Sequence, residues 1–162
     1  MTADSILVLG VDPGPTTGIA ALRYTDGRLA EVRVAQCCAD WALPLLTGLG
    51  LLDPAQRGLI VLAIERFVVG PRAAHSATAV AGQITRDLAG ALIALGEPTR
   101  VLIRTRSAAE VKPWATDTRL DAAGLLAPTR GSAHARDGCR HALFAACHDL
   151  GIPDPLSRHS ER

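Results

Sequence analysis

Residues 5–12, Ser5-Ile-Leu-Val-Leu-Gly-Val-Asp12, form a near-continuous apolar run, the pattern of a strand buried on both faces. The stretch that follows, Pro13-Gly14-Pro15-Thr16-Thr17-Gly18, is dense in turn residues. Residues 19–24 predict a second strand and residues 29–35 a third, with Asp26-Gly27 between them as a hairpin turn. A short helix is expected over residues 41–52, with Asp40 as its N-cap. Residues 59–64 are again apolar, and this fourth strand ends on Glu65. An alanine-rich helix over residues 72–95 is stopped by Gly96 and Pro98, and residues 100–104 supply a fifth strand. Ser107 and Glu110 have capping-box spacing for a short helix. A further helical segment covers residues 119–126, and a last helix covers 133–150 before Gly151 and Pro153. Three antiparallel strands followed by two βα units predict an α/β fold, a mixed five-stranded sheet with helices on both faces. At 162 residues one domain is expected, over 1–153, with 154–162 as a flexible C-terminal tail.

Composition narrows the class only a little. Apolar residues make up 48% and charged residues 20%, ordinary for a globular domain, while aromatics at 3% leave the core to aliphatic and alanine side chains. The basic residues are 16 Arg and one Lys, Lys112; with the abundant Ala, Gly and Pro, this skew fits a high-GC genome. No apolar run approaches the roughly 20 residues that span a bilayer. The opening Met1-Thr-Ala-Asp-Ser lacks the basic region of a signal peptide. Cys37, Cys38, Cys139 and Cys147 form no CxxC pair, so reduced and mostly buried thiols in a cytoplasmic protein are expected. Net charge is +1, but it is unevenly spread. Residues 66–140 carry eleven basic side chains against six acids, a local +5 that permits a nucleic-acid partner.

Candidate chemistry begins with two acids. Asp12 and Glu65 each end an apolar strand, and a carboxylate is too costly to bury alone, so each needs a cation, a hydrogen-bond network or a metal. Neighbouring strands lie about 5 Å apart, which brings two such carboxylates within reach of one divalent cation. In the last helix His134 and Asp137 are three apart and His141 is four further on, so all three share one stripe. Such a stripe is also the ordinary pattern of an exposed polar face. Aimed at the strand ends, it would complete a four-ligand site for a hard cation. His141 suits either support of a ligand or a structural role.

These residues carry a resemblance. Asp12-Pro-Gly-Pro-Thr-Thr-Gly18-Ile-Ala is similar to the first-strand motif of the RuvC-type Holliday-junction resolvases, members of the RNase H-like superfamily. Ala63-Ile-Glu65-Arg-Phe resembles their second acidic strand, and Gly82-Gln83 falls where their long helix carries Gly-Gln. Glu110-Val-Lys112 with Leu120-Asp-Ala-Ala resembles their basic helix pair, and residues 132–146 their last helix. The match runs over about residues 5–150, in order, and looks closest to the RuvC-like resolvases encoded by bacteriophages of high-GC hosts. The resemblance implies metal ligands at Asp12, Glu65, His134 and Asp137, and a catalytic lysine at Lys112. It also implies two Mg²⁺ or Mn²⁺ ions per active site, about 3.5–4 Å apart across the scissile phosphate. The imidazole at His134 favours Mn²⁺. The implied activity is endonucleolytic cutting of branched DNA such as four-way junctions, by a homodimer, because one site cuts one strand. The implied place is the cytoplasm, the host's if a phage encodes the chain.

One departure concerns the aromatic residue that family members often carry just after the second acidic strand, where it can wedge between bases. Here the stretch is Phe67-Val68-Val69-Gly70-Pro71, with Val68 or Val69 at the aligned position. Ala77, Val80, Ala81, Ile84 and Leu88 have helical spacing for either a dimer interface or packing on the sheet. Competing classes are an RNase H-like nuclease acting on RNA, of the ribosomal-RNA-processing kind, and a non-catalytic nucleic-acid-binding module on the same fold. The two-domain ATPases that open on a similar motif need more chain than 162 residues, and no Gly-x-Gly-x-x-Gly follows the first strand.

Overall fold

The computed structural model describes residues 5–51, 58–67, 77–96 and 101–157. Strand β1 (Ser5–Asp12) sits at the centre of one sheet of order β3-β2-β1-β4-β5, flanked by β2 (Thr16–Thr25) and β4 (Leu59–Glu65). β2 pairs antiparallel with β1 and with β3 (Arg28–Cys38), whereas β4 runs parallel to β1 and to β5 (Leu102–Arg106). The meander is possible because Asp26 and Gly27 both take positive φ, 51° and 71°, the twist that a two-residue hairpin needs. The parallel strands instead need crossovers, and helices α1 (Ala39–Gly48) and α2 (Ala77–Gly96) lie in those connections. Three further helices follow: α3 (Ala108–Val111), α4 (Asp117–Ala122) and α5 (Ala133–Asp149).

Alternation along the strands divides the core into two layers. Leu7, Leu9 and Val11 of β1 join Leu62 and Ile64 of β4 beneath α1 and α2, together with Ala42, Leu46, Leu88 and Leu92. Val8, Ala20, Leu22, Val61 and Ala63 face the other way and are covered by Cys139, Ala142, Leu143 and Ala146 of α5. Helices therefore lie on both faces, as the apolar pattern predicts.

Several boundaries move, each for a local reason. β3 extends through Cys38 because Thr16 and Thr17 pair with Cys38 and Cys37; Cys38 thus becomes the N-cap, and Asp40 lies in the first turn of α1. α1 stops at Gly48 rather than residue 52, with Gly50 at φ 108° just beyond. β5 is displaced two residues from the expected 100–104 because its register runs from Val61–Leu102 to Glu65–Arg106. α4 begins at Asp117 because the Thr116 side chain accepts from the Arg119 backbone N–H, and it ends at Ala122 before Gly124. Residues 72–76, expected as the start of α2, lie outside the described residues. The cysteines are less buried than expected: Cys139 is buried, Cys37 and Cys147 are half-buried, Cys38 is exposed, and all are free thiols.

Beyond α5, residues 154–157 make contacts with the rest of the chain and with one another. Arg119 Nε lies 3.1 Å from Asp154 Oδ2, and the Ser157 hydroxyl donates to the Asp154 carbonyl at 2.7 Å. Residues 158–162 lie outside the described residues. No helix among the described residues is long and apolar enough to cross a membrane.

Candidate active site

Strand alternation decides which way the two strand-end acids point. Asp12 follows Val8 and Gly10 on the α5 face of β1, and Glu65 follows Val61 and Ala63 on the same face of β4. The parallel register pairs Val11 with Ile64, so the two carboxylates project from the C-terminal ends of neighbouring strands. The loop after Asp12 is fastened from both sides. The Thr17 hydroxyl donates to the Gly14 carbonyl at 2.8 Å, and the Thr85 hydroxyl of α2 donates to the Pro13 carbonyl at 3.1 Å.

Helix α5 reaches these acids because small residues let its backbone rest on the sheet. A Cβ on Gly10 would lie 2.0 Å from the Gly138 carbonyl oxygen, and one on Gly18 would lie 1.9 Å from that of His134. Gly18 is the register partner of Asp12, so this contact sets the first turn of α5 directly over the acid. That turn is capped from another strand. The Gln36 side-chain oxygen accepts from the backbone N–H groups of His134 at 2.9 Å and Ala135 at 3.3 Å, and Ser132 makes no side-chain cap. Gln36 is itself the register partner of Gly18, so a single row across the sheet carries the cap, the close approach and the acid.

Each acid then meets a partner. His134 Nδ1 stands 2.7 Å from Asp12 Oδ2, and His141 Nε2 stands 3.1 Å from Glu65 Oε2. Lys112 Nζ, just after α3, donates to Asp137 Oδ2 at 2.8 Å. Arg140 also pairs with Asp137 through Nη1 and with Asp117 through Nη2, and its Nε donates to the Ala115 carbonyl at 3.1 Å. α3 is held in turn by Glu110, whose carboxylate accepts from the Ser107 backbone N–H and hydroxyl, each at 2.7 Å.

The electrostatics are uneven. Burial pushes Asp12 up to about 6; the hydrogen bond from His134 opposes this, and the charges of Glu65 and Asp137 reinforce it. Burial also acts upward on Asp137, but Lys112 and Arg140 outweigh it and hold that carboxyl below its usual range. Burial acts downward on Lys112, yet the hydrogen bond to Asp137 and the charges of Asp137, Glu65 and Asp12 keep its ammonium above the ordinary lysine value. Asp137 thus remains a carboxylate and Lys112 a cation, while Asp12 is penalised as an anion chiefly by its burial and to a lesser degree by the neighbouring acids.

All five residues singled out in the sequence, Asp12, Glu65, Lys112, His134 and Asp137, converge at this end of the sheet beneath α5. His141 joins them through Glu65. Among the described residues, no three His, Cys, Asp or Glu side chains are grouped so as to hold a metal ion as they stand; each acid is engaged by an imidazole or a cation of the chain. The donor set itself, three carboxylates and an imidazole, suits a hard divalent cation, and the penalty on a buried Asp12 carboxylate with Glu65 and Asp137 nearby is what such an ion would relieve.

Arg140 and Gln36 were not foreseen as site residues. Arg140 carried a signal, lying three residues after Asp137 on the same helix. Gln36 carried none, because its partner is 98 residues away. Gln83 is exposed on α2 and bonded to Asp87 at 2.6 Å, away from the acids' own hydrogen bonds. Phe67 is half-buried, Val68 and Val69 lie outside the described residues, and Leu88 packs in the core of its own chain. The side chains of Ala77, Val80, Ala81 and Ile84 lie outside the described residues.

No family model and no curated protein sequence matches the chain. Solved structures do. The structure of T. thermophilus RuvC in complex with a Holliday junction substrate aligns with a TM-score of 0.58 at 16% identity, covering 91% of this chain and 97% of that one. A second Thermus thermophilus RuvC structure gives 0.55 at 19% identity, over 90% and 97% of the two chains. With near-complete coverage of both chains, this chain has the RNase H-like fold of RuvC, its own sheet running in the order β3-β2-β1-β4-β5.

Proposed function

We propose that the chain is a divalent-metal-dependent endonuclease that cuts Holliday junctions or related branched DNA. The observation that carries this reading is the meeting of Asp12, Glu65, His134 and Asp137 with Lys112 beneath α5, in a fold shared with a protein solved on a Holliday junction substrate. Asp12, Glu65, His134 and Asp137 would hold two Mg²⁺ or Mn²⁺ ions, which supply Lewis acidity at the scissile phosphate.

The protein's own groups divide the remaining work. Asp12 and Glu65, fixed on rigid strand ends, set where the reacting phosphate lies. His134 orients Asp12 and presents its imidazole beside it. Lys112, kept charged by its acidic neighbours, offsets the negative charge that builds on the phosphate oxygens during cleavage. Arg140 ties Asp137 to the segment after Lys112 through the Ala115 carbonyl, so acid and lysine move together. Two strands must be cut at a junction, so we assign a homodimer, acting in the cytoplasm, the host's if a phage encodes the chain. One nuclease domain over residues 1–153 is part of the same reading.

The test is cleavage of fixed four-way junction, flap, linear duplex and RNA–DNA hybrid substrates with Mg²⁺ or Mn²⁺, beside Asp12→Asn and Asp137→Asn. Paired symmetric nicks on the junction, lost in both variants, are expected. Cutting of RNA instead would move the function to the RNA-processing branch. No metal-dependent cutting of any substrate would leave a binding module.

A further inference from the structure

His141 is deeply buried beside the acids, with 2% of its side chain exposed. It lies on α5 beside Cys139, Ala142 and Leu143, which belong to the apolar layer under that helix. A buried imidazole needs its ring N–H satisfied, and Nε2 points to Glu65 Oε2 at 3.1 Å. A carboxylate only accepts, so Nε2 carries the proton and donates.

Resting on the reading of Glu65 as a cation ligand, we propose that His141 is a positioning residue for Glu65. It holds Oε2, fixes the carboxylate's rotamer and leaves Oε1 uncommitted for a divalent cation shared with Asp12. The contrast with Asp137 shows why an imidazole suits the task. Lys112 and Arg140 necessarily bring positive charge to Asp137. An imidazole can donate from Nε2 while carrying none, so it orients Glu65 without competing with the incoming cation. Its seat is also rigid: α5 is locked to the sheet at Gly10, Gly18 and Gly138, so the donor cannot drift along the strand end.

The experiment compares His141→Leu, which removes the donor, with His141→Gln, which keeps an N–H. Mn²⁺ binding is measured by calorimetry on the full chain without DNA, and thermal unfolding is followed in EDTA. His141→Leu is expected to weaken Mn²⁺ binding roughly 10- to 100-fold, the range for loss of a group that orients a metal ligand. His141→Gln should recover most of it at a similar metal-free unfolding midpoint. Equal Mn²⁺ affinity in wild type and His141→Leu overturns the proposal, as does a loss the same in both variants. Asp12→Asn separates the two readings. Binding that is lost in Asp12→Asn but indifferent to His141→Leu keeps the nuclease reading and removes only the role of His141. A folded wild type that binds no Mn²⁺ removes both.

Discussion

Gly18→Ala is a one-methyl test of how the candidate site is assembled. The added Cβ would lie 1.9 Å from the His134 carbonyl oxygen and 2.0 Å from its carbonyl carbon. Both atoms are backbone, so no side chain can swing aside, and ordinary contact begins at 3.4 Å. The first turn of α5 must therefore lift by about 1.5 Å or β2 must sink by as much. Lifting stretches the 2.7 Å contact of His134 Nδ1 with Asp12 beyond hydrogen-bond reach and strains the 2.9 Å cap from Gln36. Overpacking against backbone should cost about 3 kcal/mol, or roughly 6–12 °C in Tm for a chain of this size. A displacement above 1 Å at a reacting centre should lower junction cleavage by about 100-fold or more. Gly90→Ala is the control: Gly90 lies within α2 with nothing near its would-be Cβ. That change should stabilise by roughly 0.5–1 kcal/mol and leave cleavage unchanged. Differential scanning fluorimetry and single-turnover cleavage read both variants. A Gly18→Ala protein with wild-type Tm and wild-type rate would refute the close-approach argument.

Three further outcomes follow from the same geometry. Because the folded state raises Asp12 to about 6 from 3.8, it holds that proton more tightly than the unfolded chain does. The stability this gives is full below about pH 4 and is lost as pH rises through 6. Asp12→Asn should accordingly be more stable than wild type at pH 7.5 in EDTA, by up to about 3 kcal/mol, with the gain vanishing near pH 4; denaturant titrations at both pH values check it, and no gain at pH 7.5 would contradict it. Lys112→Met should reduce cleavage about 100- to 1,000-fold in single-turnover assays. It should move metal-free stability by less than about 1 kcal/mol, since Lys112 is 43% exposed and Asp137 keeps Arg140 as a partner. Gln36→Ala removes the acceptor for two N–H groups of α5 and should cost about 1 kcal/mol, seen as a fall of about 2–4 °C in Tm. Gln36→Glu, which keeps an acceptor at a helix N-terminus, should restore it.

The fold was legible wherever one strong local pattern decided it. The apolar run ending at Asp12 and the one ending at Glu65 mark β1 and β4, and Asp26-Gly27 marks the hairpin, because burial and turn chemistry act within a few residues. Boundaries slipped where pairing with a distant strand outweighed local preference. β3 runs on through Cys37 and Cys38 because β2 offers partners there, although neither the cysteines nor Gln36 demand a strand. β5 starts two residues late because its register on β4 ends opposite Glu65, a fact held in residues 59–65 and not in 100–106.

For the site, residue types were legible and their assembly was not. Carboxylates at strand ends and a His-x-x-Asp stripe announce themselves, but nothing local says that the stripe meets the strand ends. That meeting depends on Gly10, Gly18 and Gly138, which stand far apart in the chain and act together only once α5 lies across β1 and β2. Each glycine alone looks like an ordinary strand or helix irregularity; jointly they remove the Cβ atoms that would hold the helix off the sheet. Gln36 belongs to the same class, since its cap on His134 exists only after β3 has paired with β2 and α5 has docked. The charge pairing of Asp137 with Lys112 and Arg140 follows in turn, because Ala115 must first be brought under Arg140. Docking of α5 is therefore the event on which every contact of the acids depends, and a substitution that weakens it should disturb Asp12, Glu65 and Asp137 together rather than singly.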